Sequence, residues 1–242
     1  MNKPLTGRVP PDAIRQTQLP RLPDAVIAGF KSLDDLTGTV SDALDQLGLV
    51  GAIPASTLGP NLPQQRMVGQ AVTVRNVERL ESPTRAAASG KGRMGEHEAY
   101  NQAEAGDVVV IEGLAGISNM GGQSATLASR SGCTGAVIDG GYRDPGASRG
   151  LNFPIWSRGV TPITGKWRLE TVEINGRVRI AGVSVDAGDL VLADEAGIVF
   201  VPFALAGAVL AEAVRIDAGD TRQKGDIASG IDLATLAATR YK

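Results

Sequence analysis

Residues 121–144, GGQSATLASRSGCTGAVIDGGYRD, decide the fold of this 242-residue chain. They read as a helix opened by a glycine pair, a buried strand, and a sharp loop carrying Arg143 and Asp144. Just upstream, Asp107 to Ile111 (DVVVI) is an apolar, β-branched run that reads as a strand. Strand, helix, strand in that order gives a parallel pair with a right-handed crossover. Parallel strands end on the same edge of their sheet, so the helix start at Gly122 and the Arg143-Asp144 loop are expected side by side. Unpaired N–H groups at a helix N-terminus attract anions. Arginine grips carboxylates through a two-pronged fork, and aspartate holds hard divalent cations. The pattern therefore predicts a site for a small, metal-bound carboxylic acid.

Composition narrows the function classes. Apolar residues at 43% and charged residues at 21% are ordinary for a soluble globular protein, and the chain is long enough to bury a substantial core. A net charge of −2 gives no electrostatic reason to expect nucleic acid or an anionic membrane as partner. The single Cys133 excludes an internal disulfide, no Cys/His zinc spacing exists, and a reducing cytoplasm is the expected compartment. No apolar run approaches the roughly 20 residues that span a bilayer, and the N-terminus lacks the apolar stretch of a secretory signal. Residues 1–23 read as a Pro-rich arm that is expected to be disordered unless it packs on a neighbouring subunit. Residues 24–242 read as a single α/β domain with a C-terminal helical tail.

Elsewhere, Thr39 to Gly48 reads as a short amphipathic helix capped by Thr39 or Ser41 and ended by Gly48. Arg66 to Val77 alternates as a strand, residues 81–93 read as a loop with a weak helix start, and Gly95 to Ala105 suits a helix. Val172 to Ile180 carries Asn175-Gly176 between two alternating arms, which predicts a β-hairpin. Two further strands are expected at Asp189 to Ala193 and Gly197 to Pro202, then a helix from Phe203 to about Ile216 and a shorter one from Asp232.

Each candidate for chemistry has a plain alternative. Asp144 could cap a helix beginning at Pro145, but the Arg143-Asp144 pair follows a strand's carboxyl end, where open α/β sheets bind ligands. Gly140 and Gly141 would let the loop's backbone crowd such a ligand. The Gly121-Gly122-Gln123-Ser124 turn matches neither a phosphate loop nor a dinucleotide fingerprint, and Ser124 lacks the second glycine of a nucleophile elbow. Asp139 at the end of the buried strand calls for a hydrogen-bonded, structural role or a place behind a metal ligand. The lone His97 reads as a solvated or capping residue. Lys166 and Arg168 share one face of an extended segment and are candidates for contacting a di-acid, while Cys133 reads as inert packing.

Residues 121–144 resemble the RraA-like family, which includes the 4-hydroxy-4-methyl-2-oxoglutarate/4-carboxy-4-hydroxy-2-oxoadipate aldolases and proteins named as regulators of ribonuclease E activity. The family ending Asp-Gly-x-x-Arg-Asp is matched by Asp139-Gly140-Gly141-Tyr142-Arg143-Asp144, with Gly121 at the expected spacing before it. Ser41 to Gly48, Gly69 to Arg75, Gly106 to Val110, Gly188 to Asp194 and Gly197 to Pro202 are also similar, so the resemblance covers most of residues 37–202. It implies a swivelling β/β/α sandwich with mixed parallel and antiparallel sheets, assembled as a homotrimer or homohexamer with sites between subunits. It further implies Mg²⁺ or Mn²⁺ on Asp144, substrate oxygens on Arg143, and a pyruvyl carboxylate on the amides of Gln123 and Ser124 beside Gly121 and Gly122. This chain departs from the aldolases by placing Gly122 where they carry an acidic residue, and Gln123-Ser124 where they carry Leu-Leu.

The implied activity is a metal-dependent lyase that cleaves a C–C bond in a 2-oxo (di)carboxylic acid through a pyruvate enolate. Retro-aldol cleavage of the 4-hydroxy-4-methyl-2-oxoglutarate type and oxaloacetate decarboxylation share that enolate, and metal-bound water is the expected proton carrier. Two alternatives stay open: a non-enzymatic, protein-binding regulator of a ribonuclease, and a metal-dependent enzyme acting on a sugar acid. Asp42, Asp45, Glu96, Asp194 and Glu195 are further conceivable carboxylate donors.

Overall fold

The computed structural model describes residues 3–242. In chain order its elements are α1 (Asp24–Lys31), α2 (Leu36–Gln46), β1 (Ala52–Pro54), β2 (Gly59–Pro60), β3 (Met67–Glu78), α3 (Pro83–Ser89), α4 (His97–Gln102), β4 (Val108–Glu112) and α5 (Gly122–Arg130). There follow β5 (Gly135–Tyr142), α6 (Pro145–Gly150), β6 (Ile155–Val160), β7 (Leu169–Ile174), β8 (Val178–Ile180), β9 (Val183–Val185), β10 (Leu190–Ala193), β11 (Gly197–Val201), α7 (Ala206–Ala228) and α8 (Leu233–Ala238). The fold is mixed α/β. Strands run β1-β11-β10-β3-β4-β5-β6-β2 across the main sheet, β7 also pairs with β3, and β8-β9 form a separate ribbon. The β3–β4, β4–β5 and β5–β6 pairs are parallel, and the remaining pairs are antiparallel.

The long strand β3 joins the two halves. Its start, Met67 to Gln70, pairs with β10; Ala71 to Arg75 pair with β4; and Val74 to Glu78 pair with β7 on the other edge. Period-two burial then sorts side chains into layers. On β4, Val109 and Ile111 face a core shared with Tyr100, Ala125 and Ala128 of the overlying helices, whereas Val108 and Val110 face a second core. That second core holds Trp156 with Val178, Val185, Val191 and Phe200, between the parallel strands and the antiparallel layer. The alternate residues Leu190, Leu192 and Val199 meet Phe30, Leu44, Val209 and Ile216 of α1, α2 and α7. Strands covered on both faces are expected to read as continuous apolar runs, as DVVVI and AVID do. Among the described residues no helix is long and apolar enough to cross a membrane.

Several local expectations are corrected. Asn175-Gly176 does not close a hairpin. Asn175, at φ 53°, bonds to Thr73 through its N–H (2.9 Å) and its side-chain oxygen, and donates to the Gln16 carbonyl, so the turn hands the chain from β7 to the separate ribbon. The hairpin there is β8–β9, turned by Ala181 and Gly182, both at positive φ. Helix α2 begins before Thr39 because Asp194 caps its first turn from the end of β10, accepting the N–H (3.0 Å) and hydroxyl (2.6 Å) of Thr37. Helix α7 runs well past Ile216, and the tail folds back on its second half: the Tyr241 hydroxyl donates to Asp226 at 2.8 Å. The described part of the arm, residues 3–23, makes contacts with its own chain. Val9 is buried, Lys3 donates to the Ala103 carbonyl, and Arg21 grips the buried Asp107 with two bonds of 2.5 and 3.2 Å.

Candidate functional site

Two loops meet at the carboxyl edge of the parallel strands. The segment after β4 is stitched to the end of β5 by backbone bonds: Asn119 N–H to the Gly141 carbonyl at 2.8 Å, and Arg143 N–H to the Met120 carbonyl at 3.0 Å. Gly140 and Gly141 permit this approach. A Cβ on Gly140 would stand 2.4 Å from the Asn119 side chain, and one on Gly141 2.9 Å from the Ile117 carbonyl oxygen. These glycines therefore crowd protein rather than ligand, contrary to the sequence expectation.

The seam delivers Arg143 and Asp144 to the N-terminus of α5. Asp144 adopts a left-handed conformation (φ 59°, ψ 51°), which Asp tolerates better than most residues. It precedes α6, yet its side chain makes no bond to that helix. Instead its Oδ2 accepts the Gly122 N–H at 2.9 Å, and Arg143 Nε lies 3.5 Å from the same oxygen. A Cβ on Gly121 would come within 3.0 Å of Arg143 Nε, so glycine there leaves room for the guanidinium. The first intrahelical bond of this turn is Ala125 N–H to Gly121 O, at 2.9 Å, so the Gln123 and Ser124 amides have no partner within the helix.

Beside this junction lies a cleft of about 390 Å³, a volume suited to a small molecule. Gly121, Gln123, Ser124 and Arg143 line it together with Arg8, Glu96, His97 and Lys166. Three cationic side chains, Arg8, Arg143 and Lys166, thus surround one carboxylate, Glu96, an imbalance that favours an anionic ligand. A larger cleft near β8 is lined by charges that already neutralise one another, Arg15 with Glu173 and Arg177 with Asp186. It offers no comparable excess of one sign.

Other sequence candidates fall elsewhere. Asp139 does not end its strand, which continues to Tyr142; its carboxylate accepts the Arg158 guanidinium and the Ala181 N–H, clasping the β8–β9 turn. Lys166 and Arg168 do not share an extended face. Arg168 N–H bonds back to the Gly165 carbonyl at 2.8 Å in a turn, so only Lys166 reaches the cleft. Asp42 pairs with Lys242, while Asp194 caps α2 beside Glu195 in a separate hollow. Burial pushes the Cys133 thiol up to about 12, with the Asp107 charge adding to the effect, as suits a packing residue. Glu96 and His97 do line the cleft. Glu96 had no distinguishing sequence signal beyond its place in a Glu-His-Glu triplet.

The fit of a divalent cation rests on Asp144. Among the described residues no group of three or more His, Cys, Asp and Glu is placed to hold a metal. Mg²⁺ commonly keeps several waters and takes only one or two carboxylates, the substrate supplying further oxygens. Asp144 spends one oxygen on the Gly122 amide, and with its side chain 51% exposed it leaves the other for such an ion.

Comparison with known proteins agrees with this architecture. Residues 37–200 match the RraA-like family described as Aldolase/RraA, and the chain belongs to that family. A protein of Halalkalibacterium halodurans, provisionally named as a 4-hydroxy-4-methyl-2-oxoglutarate aldolase, is 32% identical over 197 residues, covering 81% of this chain and 86% of that protein. The crystal structure of an uncharacterized protein from Pseudomonas syringae pv. tomato superimposes with a TM-score of 0.76 at 28% identity, covering 90% of this chain and 99% of that one. Streptomyces coelicolor RraAS2, described as an unusual member of the RNase ES inhibitor RraA protein family, shares the fold with a TM-score of 0.68 at 23% identity, over 88% of this chain and all of that one.

Proposed function

We propose that the protein is a divalent-metal-dependent carbon–carbon lyase acting on a 2-oxo (di)carboxylic acid. Its reactions would be retro-aldol cleavage of the 4-hydroxy-4-methyl-2-oxoglutarate type, oxaloacetate decarboxylation, or both, through a pyruvate enolate. The observation that carries this reading is the convergence of the α5 N-terminus, Arg143 and Asp144 on one rim, tied by the 2.9 Å bond from Gly122 N–H to Asp144. The aldolase name of the Halalkalibacterium relative supports it.

The substrate carboxylate would lie on the amides of Gln123 and Ser124, where the helix dipole and unpaired N–H groups favour negative charge. Arg143, fixed through its backbone bond to Met120, would hold the neighbouring oxygen and stabilise the enolate charge as it develops. Asp144 would hold Mg²⁺ or Mn²⁺, which when bound polarises the 2-oxo group as a Lewis acid. Lys166 and Arg8 extend the positive field toward a second carboxylate. In this reading the protein works in the cytoplasm as a homotrimer or homohexamer.

The test is release of pyruvate by purified full-length protein given Mg²⁺ or Mn²⁺ and a panel of 4-hydroxy-2-oxo acids, oxaloacetate and sugar acids. Asp144→Ala should lose at least about 100-fold in metal-dependent turnover. Undiminished activity in that variant after chelation and Mg²⁺ resupply refutes the assignment. A wild-type protein that turns over none of the panel but retains a ribonuclease in pull-down would be the non-enzymatic regulator.

A further inference from the structure

The cleft floor holds a charged group that the chemistry above leaves unused. Glu96, at the turn into α4, is 4% exposed. Its Oε1 accepts the Ser124 hydroxyl at 2.9 Å, but its buried Oε2 has no hydrogen-bond partner. His97 lies alongside, with Nε2 4.0 Å from Oε1. The neighbouring Tyr100 is buried. Its phenol is pushed well above the ordinary value, first by desolvation and then by the Glu96 charge, so it stays protonated. A buried acceptor without a partner costs more than a hydrogen bond returns, and such groups concentrate where a ligand or a reaction completes them.

The position of Glu96 says what would complete it. Ser124 ties it to the same helical turn whose Gln123 and Ser124 amides lack intrahelical partners, so an acid seated on those amides shares the cleft with the Glu96 carboxylate. Among the residues lining that cleft, Glu96 is the one carboxylate. None can be supplied from the first position of α5 without rearrangement. A Cβ on Gly122 would meet Ala147 Cβ at 2.8 Å and Asp144 Cβ at 3.2 Å.

We propose that Glu96 is the general base of the retro-aldol reaction, its under-satisfied carboxylate accepting the proton of the substrate's 4-hydroxyl; this rests on the lyase reading above. The O–H bond breaks toward Glu96 and its electron pair becomes the new C4 carbonyl. The C3–C4 bond breaks, and its pair remains on C3 as the pyruvate enolate. Glu96 passes its proton to solvent and C3 takes one from water, giving pyruvate, so no oxidant or reductant is required and enolate protonation does not depend on Glu96 in either reaction.

Decarboxylation of oxaloacetate passes through the same enolate but has no hydroxyl to deprotonate, which separates the base from the rest of the site. Glu96→Gln keeps the shape and can still accept the Ser124 hydroxyl. In full-length, Mg²⁺-supplied protein it should lower pyruvate release from a 4-hydroxy-2-oxo diacid at least about 100-fold, while oxaloacetate decarboxylation stays within about threefold of wild type. Glu96→Asp, which keeps the acid, should lie nearer the wild-type ratio of the two rates, and it stands in should the glutamine variant fail to fold. Parallel loss of both reactions, or loss of neither, overturns the base assignment while leaving the lyase intact. A wild-type protein that releases pyruvate from neither substrate overturns the lyase reading and the base with it.

Discussion

Replacing Asp144 in three ways separates its two structural duties. The carboxylate caps α5 through Gly122, and the residue itself adopts a left-handed backbone conformation. Losing a helix cap typically costs about 1 kcal/mol. The charge–dipole contribution of a half-exposed carboxylate adds only about 0.3 kcal/mol. Left-handed backbone costs alanine a further 1 kcal/mol or so, whereas Asn and Gly tolerate it. Asp144→Ala should therefore destabilise by about 2 kcal/mol, Asp144→Gly by about 1 kcal/mol, and Asp144→Asn, which can still accept the Gly122 N–H, by roughly 0.5 kcal/mol. Urea unfolding with a common m-value measures all three. Alanine, glycine and asparagine variants of equal stability would refute both the cap and the backbone assignment. An asparagine variant as unstable as alanine would show that the Gly122 bond contributes nothing.

Two further predictions concern buried groups. The Cys133 thiol, pushed from near 9 up to about 12 chiefly by burial, holds its proton in the folded chain after the unfolded chain has lost it. Its contribution to stability is thus complete below pH 9 and is lost as pH rises toward 12, at up to about 1.4 kcal/mol per pH unit. Cys133→Ala should remove that decline, and superimposable alkaline stability curves for the two proteins would disprove it. Arg21→Ala leaves the Asp107 carboxylate, 3% exposed, without its guanidinium. Because Arg21 is itself partly solvated, the expected loss is about 2–3 kcal/mol in denaturant unfolding, below the range for a fully buried pair; a change under about 0.5 kcal/mol would show that the arm is not anchored there.

Much of the site's placement could be read from local order. Strand, helix, strand required the Gly122 turn and the Arg143-Asp144 loop to share an edge, and the backbone bonds from Asn119 and Arg143 show them doing so. The long-range choices were not legible. Asn175-Gly176 has the composition of a hairpin turn, but its side-chain bonds go to β3 and to the arm, partners about 100 and 160 residues away in sequence. Asp194 looked like a free carboxylate until the fold brought Thr37 to it. Glu96 stood among five candidate acids with nothing to rank it, because its burial depends on α4 packing against α5. In each case the deciding partner belongs to another element, so no window of neighbouring residues contains the answer.

The divided pairing of β3 also bears on how the chain reaches this state. The strand leaves a ribosome more than 100 residues before β10, which must pair with its first four residues from Gln70 back to Met67. Until then the Met67–Gln70 stretch of the strand lacks its β10 partner, a condition that invites association between nascent chains. Chains halted before Leu190 should therefore aggregate far more than the complete protein, and chaperones that shield exposed edges should matter most during that interval of synthesis.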